Sequence, residues 1–493
     1  MAKKLKSWQG WLLFSGTMVI VFILGLLAAS ITERRAEIAS IFNNKKVDIQ
    51  GIEARNEIFG ENYPRQYETW AQTADTNFHS LMNGNHFVDL LEERPNMVIL
   101  WAGYAFSKDY NAPRGHQYAL SDVYHSLRTG APMTNDEGPQ TSACWTCKSP
   151  DVPRMMQGMG IENFYAVKWA ATGAEVVNPI GCADCHEPVK MNLTISRPAL
   201  IEAFQRRGMD VKKATQQEMR SLVCAQCHVE YYFKGDGKYV TFPWDKGFTV
   251  EQQEAYYDEI EFFDYIHKLS KTPVIKAQHP DYEIALEGIH GQRGVSCADC
   301  HIPYKSEGGI KYSDHKIMSP LAMIDRTCQV CHREKEETLR NNVYERQLKA
   351  KEMRDRLETE LAIAHIEAQF AWEKGATEAQ MQNVLKLIRQ AQWRWDFGVA
   401  SHGGAFHAPQ EIQRILGNGL DKTLQARMAI SKVLVNLSYT GDVPLPDIST
   451  KEKAQKYIGL DIPAEKAAKA NFLNTVVPEW LKTAIENQRL MSN

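Results

Sequence analysis

All ten cysteines of this 493-residue chain fall in five C-x-x-C units, and none is left over. The units are Cys144/Cys147, Cys182/Cys185, Cys224/Cys227, Cys297/Cys300 and Cys328/Cys331. In four of them the next residue is histidine: His186, His228, His301 and His332. C-x-x-C-H is the attachment signal of c-type haem. The two thiols add across the porphyrin vinyl groups, and the adjacent imidazole binds the iron from the proximal side. Structural zinc sites also use such pairs, but they take two per metal, and five is odd. They give no reason for a histidine after the second cysteine four times. Disulfides across two residues close small strained rings of the kind found in redox motifs. The chain is therefore expected to carry five covalent haems, and large apolar porphyrins then replace much of the ordinary side-chain packing.

The fifth unit, Cys144-Trp145-Thr146-Cys147-Lys148, puts an amine where the others put an imidazole. An amine binds iron only when deprotonated, which burial at low dielectric favours. The alternative is a haem that takes a more distant proximal ligand. Electron-transfer haems need a second axial ligand, so the four His haems require four distal partners. Fifteen histidines less the four in the motifs leave eleven to choose from. His116 follows Arg114-Gly115 in a loop-like stretch, and His290 sits seven residues before Cys297. His315 lies between the last two motifs, and His402 and His407 flank a Gly-Gly turn. The Lys148 haem is the candidate for an open iron, and open against closed coordination separates a catalytic haem from a wire.

Lys3, Lys4 and Lys6 precede an uncharged run from Ser7 to Thr32, longer than the roughly 20 apolar residues that span a bilayer. Glu33, Arg34, Arg35 and Glu37 then cancel. The positive excess before the run places the N-terminus in the cytoplasm and the rest outside. Ala28, Ala29 and Ser30 also fit a cleaved signal peptide. The run exceeds a usual h-region of about 7–15 residues, which favours an uncleaved anchor on the periplasmic side of the inner membrane over cleavage or a buried core helix. With 57 Lys+Arg against 60 Asp+Glu, nothing pulls the chain toward nucleic acid.

The expected fold is mostly α: a multihaem cytochrome c fold with short helices and loops around five haems and long C-terminal helices. Residues 1–35 are the anchor or signal segment. Residues 40–335, broken by Gly, Pro and Asn every few positions, form the haem-binding core. Residues 336–440 hold the long helices, and 441–493 form a tail that says little. From Glu334 to Trp372 there is no Pro or Gly. Leu339, Val343, Leu348, Met353, Leu357, Leu361, Ala364 and Ala368 form an apolar stripe near helical period. Gly375 breaks the pattern, Thr377-Glu-Ala-Gln380 resembles a capping box, and helices follow over 379–397 and 410–438.

The chain resembles the pentahaem cytochrome c nitrite reductases that form ammonia. The likeness runs from about Asn56 to Gln410. It rests on Cys144-Trp-Thr-Cys147-Lys148 followed by Ser-Pro-Asp-Val, Gly181-Cys-Ala-Asp-Cys-His186, Cys227-His-Val-Glu230-Tyr231, Lys276-Ala-Gln278-His279-Pro280, and Ser401-His402-Gly with His407-Ala-Pro. The resemblance implies that Lys148 is the proximal ligand of the active haem, with Arg128, Tyr231 and His279 in its distal pocket. It implies calcium at Glu230, Tyr231, Lys276 and Gln278. It gives His116 as distal ligand to the haem on Cys224/Cys227, His315 to that on Cys182/Cys185, His407 to that on Cys297/Cys300 and His290 to that on Cys328/Cys331. Asp281 stands where many relatives have Glu. The same resemblance implies nitrite as substrate, reduced by six electrons to ammonium, with hydroxylamine and sulfite as side substrates. It also implies a homodimer packed through long helices and an electron-donor cytochrome, either a membrane quinol dehydrogenase or a soluble carrier. The competing readings are a multihaem electron-transfer cytochrome without catalysis and a zinc-stabilised scaffold.

Overall fold

The computed structural model describes residues 6–43 and 45–491. Its first element, α1 (Ser7–Asn43), is a single helix of 37 residues. Ser7–Arg35 within it has a mean hydropathy of 2.5 and is unburied among the described residues. A helix of that length and composition fits a signal segment or a membrane anchor.

Three long helices form the C-terminal half of the core: α2 (Glu336–Glu373), α3 (Glu378–Ala400) and α4 (Pro409–Asn436). The turn between α2 and α3 is set locally. Gly375 takes a φ of +90°, open to glycine and costly for other residues. Thr377 then caps α3, its Oγ1 accepting from the Gln380 amide while Gln380 Oε1 accepts from the Thr377 amide at 2.8 Å. On α2 the apolar stripe departs from its expected course at one point. Leu339, Val343, Leu357, Leu361, Ala364 and Ala368 are buried, whereas Leu348 is 48% exposed and Ala350 takes the inward place. Two residues are about 200° apart around a helix, so Leu348 and Ala350 face opposite ways.

The helices pack around Trp101, Trp393 and Trp395, all fully buried. Buried indole N–H groups need acceptors. Trp101 Nε1 donates to Asp396 (3.2 Å) and Trp395 Nε1 to Glu358 (2.9 Å). These carboxylates are in turn paired, Asp396 with Lys276 at 2.8 Å and Glu358 with Arg94.

Residues 45–335 fold as short helices with four two-stranded antiparallel hairpins among the described residues. Two units, Cys182/Cys185 and Cys297/Cys300, lie wholly within a helical turn, which brings their sulfurs onto one face; in the other three the first cysteine is in a helical element and the second just beyond it. None of the ten is in a disulfide. Two further helices, α5 (Lys451–Tyr457) and α6 (Ile462–Glu486), carry the tail back over this half. Phe472 and Trp480 of α6 pack with Trp145 and Trp169 in one cluster. Trp480 lies so close to Gly173 that a Cβ there would sit 2.5 Å from its ring.

One buried arginine ties two of the C-x-x-C loops together. Arg197, 1% exposed, donates to the carbonyls of Thr146 (2.5 Å) and Ser149 (2.8 Å) and pairs with Asp184 at 2.5 Å. It thus binds the segment around Lys148 to the helical turn Cys182–Cys185. Arg197→Met leaves Asp184 buried and unpaired, and should cost about 3–5 kcal/mol. Denaturant unfolding of purified protein measures it, and a loss below about 1 kcal/mol would mean the guanidinium is not a structural tie.

Candidate functional site

The C-x-x-C units and their histidines face one continuous cavity of about 2830 Å³. A pocket for a single ligand holds roughly 300–1,000 Å³, so this one is sized for several groups. The units lie side by side along it. Cys147 lies beside Cys227 and Cys224 beside Cys297, and Cys300 lies near Cys328.

Opposite each C-x-x-C-H imidazole stands a second one. Ring centroids are 6.4 Å apart for His116 and His228, 6.2 Å for His186 and His315, 6.3 Å for His301 and His407, and 6.2 Å for His290 and His332. With a metal–imidazole bond of about 2 Å and a centroid about 1.1 Å behind the bonding nitrogen, two imidazoles trans across one metal stand about 6.3 Å apart. All four pairs have this spacing. Burial also keeps the rings neutral and able to ligate. It pulls His116, His301 and His315 down to about 4 and lowers His186, His290 and His407. Second contacts fix ring orientation: Nδ1 of His186 donates to the Met191 carbonyl (2.7 Å), Nδ1 of His301 to Met318 (2.9 Å) and Nδ1 of His315 to Ser313 (3.0 Å). The lone pair is then on Nε2, pointing away.

Four of the other histidines pair differently. His267 and His365 stack at 3.7 Å in the core, and His79 lies tilted against His86 at 3.8 Å. His402 lines the cavity 5.1 Å from the ring of His279.

Lys148 has no imidazole of its own motif beside it. It lines the cavity with Cys144, Cys147, Arg128, Tyr231, Gln278 and His279. Among the described residues its ammonium has no hydrogen bond or ion pair. Arg128 sits on the turn Leu127–Thr129, held by Asp109. The Asp109 carboxylate accepts from the amides of Leu127 (2.6 Å) and Arg128 (3.3 Å) and from Ser126 Oγ (3.1 Å). The guanidinium lies over the Phe106 ring at 4.4 Å. Burial, with the Cys147 and Cys144 thiols beside it, holds the Tyr231 phenol well above its ordinary range, so it stays a proton donor.

His279 is gripped by Asp281. Its Nε2 lies 2.8 Å from Asp281 Oδ2 and 3.3 Å from Nδ1 of His228. The other oxygen of Asp281 accepts from Ser401 Oγ (2.8 Å) and the Gly403 amide (3.1 Å). Burial raises the Asp281 carboxyl, but the His279 ring bonded to it, with His407 and His402 nearby, together outweigh this and hold it well below the usual carboxylate range. Asp281 therefore joins the pocket histidine to the loop that carries His407.

Of the four expected calcium residues, Glu230 is fully buried and Lys276 nearly so. The Glu230 carboxylate accepts from the Gln278 amide (2.6 Å) and Tyr257 hydroxyl (3.0 Å), and Gln278 Nε2 donates to the Lys276 carbonyl (2.9 Å). The Lys276 ammonium is spent on Asp396, which leaves its carbonyl as the possible ligand. Burial raises Glu230 well above its ordinary value. Next to it Glu283, pushed up to about 8 by burial, accepts from the Glu230 amide and Trp244 Nε1, while its Oε2 has no partner. An all-oxygen pair of buried carboxylates with an orphaned atom fits a hard divalent cation.

Asp109, Arg197 and Glu283 were invisible to sequence reasoning, because nothing in their local pattern marks them. Asp281 had one signal, its place two residues after His279.

Five C-x-x-C turns and four opposed imidazole pairs around one cavity, in a mostly helical chain, define a multihaem c-type cytochrome. The chain belongs to the cytochrome c552 family, which it matches over residues 55–488. It is 76% identical to the cytochrome c-552 of Parabacteroides distasonis over the whole of both chains. It is 67% identical to that of Porphyromonas gingivalis, over 98% of this chain and 97% of the other. Among solved structures, the catalytic subunit of cytochrome c nitrite reductase from Desulfovibrio desulfuricans, described as having two calcium sites, matches with a TM-score of 0.75 and 30% identity. That match covers 80% of this chain and 90% of the other.

The raised Glu283 carboxyl has a consequence for stability. Between the ordinary value of 4.5 and about 8 the unfolded chain loses this proton and the folded one keeps it. Its share of stability therefore falls as pH rises through that window, by up to about 1.4 kcal/mol per pH unit. In protein stripped of divalent cations, Glu283→Gln should flatten the decline of melting temperature from pH 5 to 8, and parallel curves for variant and wild type would show the carboxyl ionised in the fold.

Proposed function

We propose that this protein reduces nitrite to ammonium, NO2⁻ + 6e⁻ + 8H⁺ → NH4⁺ + 2H2O, at a haem held by Cys144, Cys147 and Lys148. The observation that carries this is that Arg128, Tyr231 and His279 all lie beside the Cys144/Cys147 unit that precedes Lys148. The solved relative with the same fold is a nitrite reductase. When bound, the haem would supply a redox-active iron to which nitrogen can attach. The other four haems would be held by His116 and His228, His186 and His315, His301 and His407, and His290 and His332.

The chain's own side chains account for the rest of the chemistry. Arg128 is permanently cationic and holds a small oxyanion by charge-assisted hydrogen bonds. It also stabilises negative charge that builds on oxygen as N–O bonds break. Tyr231 keeps its proton and donates to the same anion. Eight protons enter per turnover, so one group must reload repeatedly, and His279 is suited to that. Asp281 holds its ring in place. Calcium bound through Glu230, Gln278 and the carbonyls of Tyr231 and Lys276 would stiffen the segments that carry Tyr231 and His279.

In this reading α1 anchors the protein to the inner membrane with the haem domain in the periplasm. A membrane quinol dehydrogenase or a soluble cytochrome delivers electrons. Leu348, Leu424, Met428 and Val435, exposed on α2 and α4, pack across a homodimer. The electron-carrier alternative would show no high-spin haem in its spectra.

The test is nitrite-dependent oxidation of reduced methyl viologen with ammonium measured as product. Lys148→His and Arg128→Ala should each lower kcat/KM by about 100-fold or more, Arg128→Ala with a marked rise in KM. Full activity in both variants would overturn the pocket.

A further inference from the structure

We propose that Lys469, on the C-terminal helix α6, is a positioning residue of the anion pocket: it clamps the turn that carries Arg128 and so keeps the guanidinium directed at the cavity. This rests on the reading of Arg128 as the group that binds nitrite.

Lys469 is 4% exposed. Its Nζ donates to Thr129 Oγ1 at 3.1 Å and to the Gly130 carbonyl, the two residues that follow Arg128. Its other side rests on aromatic rings, 5.0 Å from the centroid of Phe472 and 6.0 Å from that of Trp169. Burial draws its pKa down to about 8, which leaves it mostly protonated at neutral pH. Among the described residues no carboxylate lies within ion-pairing distance of it. The charged groups around it are Asp109, Glu465 and Lys108. Glu465 is paired with Lys108 at 2.5 Å, and Asp109 is engaged with the amides of Leu127 and Arg128.

A buried ammonium without a counter-ion destabilises a fold, yet here its donors are aimed at one short turn. That turn is held on its other side by Asp109, through the Leu127 and Arg128 amides and an ion pair with Arg128 Nε at 3.5 Å. It is a 3-10 turn of three residues, Leu127–Thr129, ending in Gly130 at a φ of +71°. Thr129 Oγ1 donates back to the carbonyls of Val123 and Ser126, both at 2.9 Å. Asp109 grips the turn from its N-terminal side and Lys469 from its C-terminal side, with Arg128 between them. Lys469 does not itself line the cavity; it acts from behind. Two charged groups of opposite sign, one at each end of the turn, fix its backbone more firmly than neutral hydrogen bonds would. The unpaired positive charge also raises the potential of a pocket that must attract an anion.

The experiment uses purified holoprotein, wild type against Lys469→Met, Lys469→Gln and Arg128→Ala. Nitrite affinity is read from the visible spectrum of the oxidised protein, and carbon monoxide affinity from that of the reduced protein. Amide hydrogen exchange is followed over residues 127–131. Lys469→Met should raise the nitrite Kd about ten-fold, leave the Kd for neutral carbon monoxide within a factor of about two, and speed exchange in the turn. Lys469→Gln keeps a neutral donor and should show the same pattern at about three-fold; it stands in if the Met variant does not fold. Unchanged nitrite affinity in the Lys469 variants, with Arg128→Ala impaired, overturns the clamp alone. Equal losses for nitrite and carbon monoxide also overturn it, since the residue would then serve only general integrity. Unchanged affinity in Arg128→Ala overturns the pocket reading itself.

Discussion

The spacing of four opposed imidazole pairs is the constraint on which the rest of the architecture depends. Each pair joins parts of the chain that are distant in sequence: 112 positions separate His116 from His228, and 129 separate His186 from His315. Holding both rings within two tenths of an ångström of the span that one trans-bonded metal sets requires the intervening segments to be rigid. The short helices, the buried Arg197 tie and the carbonyl partners of Nδ1 supply that rigidity locally. The three long helices supply it globally, through a tryptophan core whose N–H groups end on paired carboxylates.

The place where the pattern breaks is the place where chemistry fits. Beside Lys148 the cavity is lined not by an opposed, separately anchored imidazole but by an arginine, a phenol and a histidine already bonded to Asp281. Each of these is held by a further side chain. Asp109 and Lys469 hold the Arg128 turn, Asp281 holds His279, and the Glu230–Gln278 contact joins the segments of Tyr231 and His279. Preorganisation of this kind lets a site present fixed dipoles and charges to an anion without reorganising at each turnover.

Much of this was legible in the chain. Cysteine spacing alone set the cofactor class, because two thiols and a neighbouring histidine form a local unit that needs no tertiary information. The capping box at Thr377 and the stop at Gly375 were legible for the same reason. Leu348 was misplaced because an apolar residue in a long helix can satisfy a loose periodic pattern while pointing outward. The tail at 441–493 looked uninformative, yet it delivers Phe472, Trp480 and Lys469 to the back of the pocket. Those three side chains meet residues more than 300 positions away, such as Trp169, Gly173 and Thr129, and no local pattern encodes that.

By itself the sequence marked the units expected to attach haem, the one unit that departs from the pattern, and the apolar helix before the rest, since all three are short-range covalent or solvation features. Only the tertiary structure decided which histidine faces which, that His407 rather than His402 stands opposite His301, that Asp281 grips His279, and that Asp109 and Lys469 hold the Arg128 turn from behind the cavity. Those outcomes depend on how distant segments pack, and packing is a property of the whole chain rather than of any window in it.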